Sequence, residues 1–309
     1  MAKKRQKKTS LLPLEGAFPD EFSTVTASLS RRYQYVDEVA KGKTGLACRL
    51  RNDSNNNHFY CLKTVRHDIT DPEKIEAIRD TLRKEVLILS PLSHRCLPTI
   101  YEHDLAGSKP YYVCTYHPGS TFGEFKARSE SLKFQETVFV LSSLLDVLKY
   151  LHSNGRTHCD LHQNNVMISR DVLRHGVLVI DFSSGHRDSD SSSYTGNRGN
   201  VNFKDPQGQR YSGASVDRRE FSVSFQDSDF NALGKLLAIM RDCFIAKAPP
   251  ATQAAYDDFS ESLQSGKLDS WTKIEDRFLS VLDPYRVVTE NGDLFLSNRG
   301  VPQEIRIAD

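Results

Sequence analysis

The stretch Thr157-His158-Cys159-Asp160-Leu161-His162-Gln163-Asn164-Asn165 follows an apolar helix pattern and precedes an apolar strand pattern that runs to Asp181. The stretch contains a carboxylate that can accept a hydroxyl proton, Asp160. Together with the later Asp181, its Asn165 offers oxygen donors for a metal ion. Phosphoryl transfer uses these groups, because positioning and charge neutralisation make up most of that chemistry. Loop Asp and Asn residues also serve turns and helix caps, so the stretch is informative only together with the motifs on either side.

The composition is that of an ordinary globular protein. The chain has 309 residues, of which 38% are hydrophobic and 26% are charged, and this length suits one large domain or two lobes. A formal net charge of +1 gives no electrostatic reason to expect nucleic acid as a partner. The apolar runs are shorter than a membrane-spanning helix requires, so we do not expect membrane insertion.

The six cysteines are scattered and contain no CxxC pair. This pattern predicts reduced thiols in a cytoplasmic setting rather than a disulfide framework. The basic residues 1–8 fit a nuclear address, a tag that binds an acidic partner, or a solvated, disordered tail, and we favour the tail. The histidines and cysteines at 94–96 and 158–162 lack the spacing of metal ligands, so a zinc site is not predicted.

The first part of the chain predicts a sheet around a glycine-containing turn. Residues 40–45 separate two strand patterns, and backbone N–H groups of such a turn can approach phosphates closely. Lys63 lies in an apolar strand and Glu85 beside the apolar face of a helix, so we expect the two side chains to pair, although each also fits a solvated surface residue. The predicted elements are strands at 33–39, 46–50, 58–65, 97–101 and 111–116 and a helix that starts at Thr70-Asp71-Pro72-Glu73.

The second part of the chain predicts helices, with a short strand pair that positions Asn165 and Asp181. We expect Asp229 to open a buried helix, because the residues after it are apolar nearly all round. The other predicted elements are a helix from Phe134 capped by Gly155, strands at 166–168 and 177–180, helices to about Leu282 and a hairpin turn at Asn291-Gly292. The predicted organisation is a flexible tail at 1–30, a first lobe at 31–117 and a second lobe at 118–309 with a short C-terminal extension.

In order and spacing, these motifs resemble the eukaryotic-type protein kinase family from about Tyr33 to Arg286. The resemblance implies an α+β, two-lobed protein-kinase-like fold, with a five-stranded antiparallel sheet and one helix in the first lobe and a mostly helical second lobe. The matching residues are Ala40, Gly42 and Gly45 in the glycine loop, Tyr60-Cys61-Leu62-Lys63, Glu85, Cys114 at the gatekeeper position, His158, Asp160 and Asn165 in the catalytic loop, Asp181-Phe182-Ser183, Asp205-Pro206-Gln207, Asp229 with Leu233-Gly234, and Arg286.

The resemblance implies transfer of the γ-phosphate of ATP to a protein hydroxyl, with Ser or Thr favoured as acceptor. Asp160 would act as the base, and Lys63, held by Glu85, would pair the α- and β-phosphates. Asn165 and Asp181 would bind Mg²⁺. The residues implied to contact ATP are Ala40, Gly42, Gly45, Cys61, Lys63, Cys114, Thr115, Tyr116, His117 and Met167.

The chain departs from the family pattern at several positions. His162 replaces the usual Lys and would supply positive charge to the transferring phosphate, and because histidine titrates near neutrality we expect pH-sensitive activity. Cys159 replaces the Arg that receives an activation-loop phosphate. The remaining departures are Ser183 for Gly, Asn200 for Thr and Gln207 for Glu.

Three functions remain open at this point. They are a protein kinase, a pseudokinase scaffold that binds nucleotide or partners, and a small-molecule phosphotransferase, because Asp160-Leu161-His162 also looks like aminoglycoside and choline kinases. Residues 189–195 fit autophosphorylation sites as well as they fit a polar loop.

Overall fold

The computed structural model describes residues 18, 29–43, 45–52, 58–187, 203–204, 210–211, 218–282, 286–288, 294–298 and 301–303. The chain packs as two compact units. The first contains the described residues up to Val86 together with Thr99–Tyr116, and the second contains Leu87–Pro98 and the described residues from His117 onward. Residues 87–98, which sequence analysis placed in the first lobe, therefore pack with the second.

The first unit contains the predicted five-stranded antiparallel sheet, whose strand order is β1-β2-β3-β5-β4. The strand predicted at 97–101 begins later, at Ile100. Its first residues form a turn instead, in which the Leu97 N–H donates to the His94 carbonyl at 3.0 Å. The strands are β1 (Gln34–Lys41), β2 (Gly45–Asn52), β3 (His58–Val65), β4 (Ile100–Asp104) and β5 (Tyr111–Thr115).

Side chains of β3 alternate between the two faces of this sheet, as the two-residue period of a strand requires. On one face Tyr60 and Leu62 belong to a core that includes Tyr33 and Leu29. Leu29 is fully buried although sequence analysis placed it in the tail, because its side chain covers apolar surface that would otherwise face water.

The other face of the sheet is covered by α1 (Pro72–Leu89). The Asp71 side chain accepts the Glu73 N–H at 3.0 Å, which caps the start of this helix as predicted. Its residues Ile78, Leu82 and Val86 recur at helical spacing and form a buried cluster with side chains of β3 and β5. This packing places Glu85 against the sheet.

The second unit is mostly helical, as predicted. Among the described residues, no helix is both long enough and apolar enough to cross a membrane. The helices are α2 (Phe122–Ala127), α3 (Phe134–Ser153), α4 (Val172–His175), α5 (Arg218–Ile245), α6 (Pro250–Gln264) and α7 (Trp271–Leu282). The strands are β6 (Ser120–Thr121), β7 (Arg156–Thr157), β8 (Val166–Ile168), β9 (Val177–Val179), β10 (His186–Arg187), β11 (Phe203–Lys204), β12 (Arg210–Tyr211), β13 (Arg286–Val288), β14 (Leu294–Asn298) and β15 (Val301–Gln303).

One prediction for this unit was wrong in detail. Asp229 lies in the middle of α5 rather than at its start, and its carboxylate binds a distant loop instead of capping the helix. The predicted C-terminal hairpin is confirmed, since β13 and β14 pair antiparallel, and β15 adds a third strand to this sheet. The sequence features that lie outside the described residues are Asn200, Asp205-Pro206-Gln207, the loop at 189–195 and Asn291-Gly292.

Candidate active site

The loop at 157–165 is held by a buried carboxylate, that of Asp229. Its two oxygens accept the backbone N–H groups of His158 at 2.9 Å and Cys159 at 2.7 Å. The ring of His152, on α3, places Nε2 2.9 Å from the same carboxylate. Asp229 and the His152 side chain are almost completely buried, so their contacts exclude water and fix the loop backbone.

His158 connects this loop to the segment that contains Asp181. Its Nδ1 accepts the Asp160 N–H at 3.2 Å, so Nε2 carries the proton of the neutral ring and donates to the Ile180 carbonyl at 3.0 Å. The ring also packs on Phe182 with centroids 4.6 Å apart. One side chain thereby contacts the residues before and after Asp181, Ile180 and Phe182, and the backbone of Asp160.

Asp160 and His162 lie side by side in this loop, and both side chains are about half exposed. The Nε2 atom of His162 is 3.8 Å from Oδ2 of Asp160. The Nδ1 atom of His162 accepts the Asn164 N–H at 3.1 Å, so in the neutral ring the proton is on Nε2, which faces Asp160. A solvent-facing carboxylate next to an imidazole can accept a proton from an incoming hydroxyl group.

A backbone hydrogen bond joins the two segments that contain Asn165 and Asp181. The Ile180 N–H donates to the Asn165 carbonyl at 2.9 Å, which brings Asp181 beside the loop. The side-chain Nδ2 of Asn165 donates to the Asp160 carbonyl at 2.9 Å, so the remaining polar atom of that amide is the acceptor Oδ1.

These donors fit Mg²⁺. A carboxylate and an amide oxygen are hard ligands, and protein-bound Mg²⁺ usually takes one or two carboxylates and completes its shell with phosphate and water. Among the described residues no group of three or more His, Cys, Asp or Glu side chains could hold a metal ion. Asn165 and Asp181 therefore suit a cation that is shared with a phosphate group.

Asp181 adopts a left-handed backbone conformation, with φ of 67°. Such values are uncommon outside glycine, and Asp is one of the residues that tolerates them. In the Asp-Phe-Ser triplet this conformation belongs to Asp181 and not to Ser183. The replacement of the usual Gly by Ser183 thus meets no left-handed strain here, and the Ser183 N–H donates to Oδ1 of Asp181 at 3.4 Å.

In the first unit, Lys63 and Glu85 form the expected ion pair. The Lys63 Nζ atom is 2.7 Å from each carboxylate oxygen of Glu85. The Glu85 side chain is 1% exposed, whereas that of Lys63 is 29% exposed. The Lys63 side chain is therefore partly accessible to solvent, while the carboxylate that it binds is shielded.

Tyr112 is a site residue that sequence analysis missed. It lies directly opposite Lys63 in the sheet, and its buried hydroxyl donates to Oε2 of Glu85. Burial, together with the neighbouring Glu85 carboxylate, raises the pKa of Tyr112 well above its usual value, so the hydroxyl stays protonated as a donor. The strand alternation could have indicated this role, but only once the register of β5 against β3 was known.

We expect Tyr112→Phe to lower the free energy of unfolding by about 1.5–3 kcal/mol, because the buried Glu85 carboxylate would lose a hydrogen bond to a charged group. Urea denaturation of the full chain measures this change. Tyr101→Phe is the control, since the Tyr101 ring is exposed on the same sheet. Equal stabilities for wild type and Tyr112→Phe would contradict the assignment of this bond.

The glycine turn is held in place by an arginine. The Gly42 N–H donates to the Gly45 carbonyl at 2.9 Å. The guanidinium of Arg66 donates to the carbonyls of Gly42 at 3.2 Å and Lys43 at 3.1 Å. Ala40 precedes this turn on an exposed part of β1.

The nucleotide-contact residues predicted at the end of β5 make contacts within their own unit. Thr115 Oγ1 accepts the Thr99 N–H at 3.0 Å. The ring of Tyr116 has the Arg49 guanidinium 5.5 Å from its centroid. Cys114 lies directly opposite Cys61, on the same sheet face as Lys63.

The remaining two predicted nucleotide contacts, His117 and Met167, belong to the second unit. His117 Nδ1 accepts the Gly119 N–H at 3.1 Å, and Nε2 donates to the Gly176 carbonyl at 3.2 Å. Burial lowers the pKa of His117, which favours this neutral form. One ring nitrogen thus closes a local turn and the other binds a distant segment, so only the backbone of His117 is left to contact a nucleotide. Met167 is half-buried in β8.

Cys159 cannot replace the arginine that the family has at this position. Burial raises the pKa of its thiol, so the side chain is neutral. Its φ of 59° places the backbone in the left-handed region, where the N–H reaches Asp229. A neutral thiol does not bind a phosphate as a guanidinium does, so the loop offers no cation at this position.

Comparisons with known proteins agree with this geometry. A family model described as protein kinase domain matches residues 33–224. A probable serine/threonine-protein kinase of Clostridium acetobutylicum is 23% identical over 199 residues, which is 64% of this chain and 29% of that protein. The serine/threonine-protein kinase PknB of Mycobacterium leprae is 27% identical over 223 residues, covering 69% of this chain and 33% of the relative.

Death-associated protein kinase 2 of Mus musculus is 23% identical over 194 residues, covering 62% of this chain and 52% of that protein. The chain thus spans from less than a third to about half of the length of these relatives. The similarity concerns a domain and not the whole of any relative.

Proposed function

The chain belongs to the protein kinase family, and from this premise we propose that it is an active, ATP-dependent kinase that phosphorylates Ser or Thr hydroxyls of a protein substrate. The observation that carries the proposal is the buried Glu85 carboxylate bound by Lys63 and Tyr112. Removing a carboxylate from water is costly, and a protein is often equally stable when apolar residues of similar volume replace a buried ion pair. A buried charge with an accessible Lys partner therefore suits a chain that uses the ammonium group to bind phosphate.

In the proposed reaction Asp160 orients the acceptor hydroxyl and takes its proton, which increases the nucleophilicity of the oxygen. His162, when protonated, places positive charge beside the carboxylate and the transferring phosphate. Lys63 binds the α- and β-phosphates of ATP. Asn165 and Asp181 hold Mg²⁺, which when bound neutralises charge on the phosphates.

The Mg²⁺ assignment predicts a change in ATP affinity. Asp181→Asn is expected to weaken Mg²⁺-dependent ATP binding by at least about tenfold, because it removes the one carboxylate of the proposed ligand set. Calorimetric titration of ATP with and without Mg²⁺ measures this effect. The matched control is Asp171→Asn, at the start of α4. If Mg²⁺ strengthened ATP binding equally in Asp181→Asn and wild type, Asp181 would not be a ligand.

The choice of acceptor distinguishes the three functions. Labelled ATP is offered with a mixture of generic proteins and, separately, with small alcohols and amines. Label on serine or threonine of protein is expected, and phosphoamino-acid analysis identifies the acceptor. Label on small molecules alone would favour a small-molecule phosphotransferase, and ATP binding without transfer to any acceptor would favour a pseudokinase.

The cytoplasmic location remains a proposal. It rests on the six cysteines, all of which are free of disulfides. A tagged chain that accumulated in the nucleus would favour the alternative interpretation of the basic N-terminus.

A further inference from the structure

Two cysteines face each other in the sheet of the first unit. Cys61 on β3 is directly opposite Cys114 on β5. Residues opposite each other in antiparallel strands have Cα atoms about 4.5–5.5 Å apart, and disulfides form across Cα separations of about 4.4–6.8 Å. Because they are directly opposite each other, both side chains project from the same face of the sheet.

The surroundings give the two thiols different reactivities. The neighbouring Cys114 thiol lowers the pKa of Cys61, and the Lys63 ammonium acts in the same direction. The pKa of Cys114 is raised, first by the neighbouring Cys61 and then by burial. Cys61 is also partly exposed, whereas Cys114 is buried. Because the thiolate is the species that reacts, Cys61 is the thiol that reacts first and Cys114 is the resolving partner.

The other cysteines lack this combination of features. Burial raises the pKa values of Cys48, Cys96, Cys159 and Cys243, which keeps their thiols in the unreactive form. The Cys61–Cys114 pair is therefore chemically distinct.

We propose that Cys61 and Cys114 form an oxidation switch, in which a hydroperoxide converts the two thiols to a cross-strand disulfide that prevents nucleotide binding. The Cys61 thiolate attacks one peroxide oxygen, the O–O bond breaks, and Cys61 becomes a sulfenic acid. The Cys114 sulfur then attacks the Cys61 sulfur, and the S–O bond breaks. In total two thiols lose two electrons and two protons, and hydrogen peroxide becomes two water molecules.

The effect on nucleotide binding follows from the position of the pair and rests on the proposed function. Lys63 is the next residue on the same face of β3, and Tyr112 holds the corresponding position on β5. A disulfide holds the two sulfurs at about 2.05 Å with a fixed dihedral angle, which is closer than unbonded sulfur atoms approach. Its formation therefore moves at least one of two side chains that lie near Lys63 and Glu85. Cys61 and Cys114 are themselves among the implied ATP contacts.

The first test measures the bond itself. The full chain is treated with hydrogen peroxide, remaining thiols are alkylated, and peptides are mapped by mass spectrometry without reduction. We expect a peptide pair linked through Cys61 and Cys114, with a loss of two hydrogens, that disappears after treatment with a thiol reductant. Both thiols remaining reduced, or separate oxidation to sulfinic acids without a link, would overturn the proposal.

The second test measures the consequence for ATP binding. Wild type and the control Cys243→Ala are expected to bind ATP at least about tenfold more weakly after oxidation and to recover on reduction. For Cys61→Ala and Cys114→Ala, we expect the same ATP affinity before and after peroxide treatment. A wild-type disulfide without loss of ATP affinity would overturn the switch.

The two tests separate this proposal from the proposed function. Peptide mapping requires no nucleotide, so it shows whether the Cys61–Cys114 disulfide forms even if the chain does not bind ATP. If reduced wild type failed to bind ATP, the kinase proposal would fail, and the regulatory part of the switch would be overturned with it.

Discussion

Asp160→Asn is expected to slow phosphate transfer to a protein acceptor by about 10²–10⁴-fold, because a positioned general base contributes a factor of this size. The Asp160 carboxylate is half exposed and is positioned by His158, whose Nδ1 accepts the Asp160 N–H. Asn has the same shape but cannot accept the proton. ATP affinity should change little, since the Asp160 backbone contacts do not depend on the side-chain charge.

The matched control for this variant is Asp276→Asn, an exposed residue on α7. Initial rates of transfer at saturating ATP, with ATP affinity measured separately, distinguish loss of chemistry from loss of binding. An Asp160→Asn rate equal to that of wild type would show that this carboxylate is not the base.

Asp229→Ala is expected to lower the free energy of unfolding by about 3–5 kcal/mol. Its carboxylate is fully buried and binds the N–H groups of His158 and Cys159 and the ring of His152. Removing one partner of a buried polar network leaves the other groups desolvated and unpaired, which is the largest cost of such a change. Transfer activity should fall as well, because the backbone of the 157–165 loop would lose its anchor.

Asp242→Ala is the control on the same helix, because the Asp242 side chain is exposed. It should change stability by no more than about 0.5 kcal/mol. Chemical denaturation of the two variants and wild type measures the difference. If Asp229→Ala were as stable as Asp242→Ala, the buried contacts would not hold the loop in the way described.

The sheet and the helices were largely predictable because their signals are local. Alternation along β3 assigns Tyr60 and Leu62 to one face and Cys61 and Lys63 to the other before any contact is known. The helical spacing of Ile78, Leu82 and Val86 likewise identifies the buried side of α1. The predicted start of β4 at Leu97 was wrong. Leu97 lies in a turn that satisfies its backbone N–H, and the apolar pattern of the sequence does not distinguish this turn from a strand.

The contacts that organise the candidate site depend on tertiary register, which a single sequence does not contain. Asp229 was placed at a helix start because the residues after it are apolar nearly all round, yet it lies within the helix and its carboxylate binds the backbone of a distant loop. Tyr112 resembles any aromatic strand residue until the pairing of β5 with β3 places it opposite Lys63. Asp160, Asn165 and Asp181 could be recognised as residue types in a motif, whereas their hydrogen-bond partners could not be predicted.

Phosphate transfer by the loop at 157–165 can be measured by incubating wild type with γ-labelled ATP, Mg²⁺ and a generic protein mixture, with Asp160→Asn as the matched control. We expect label on protein with wild type and at most a trace with the variant. Wild type that binds ATP but transfers no label, or equal labelling by both proteins, would contradict this expectation.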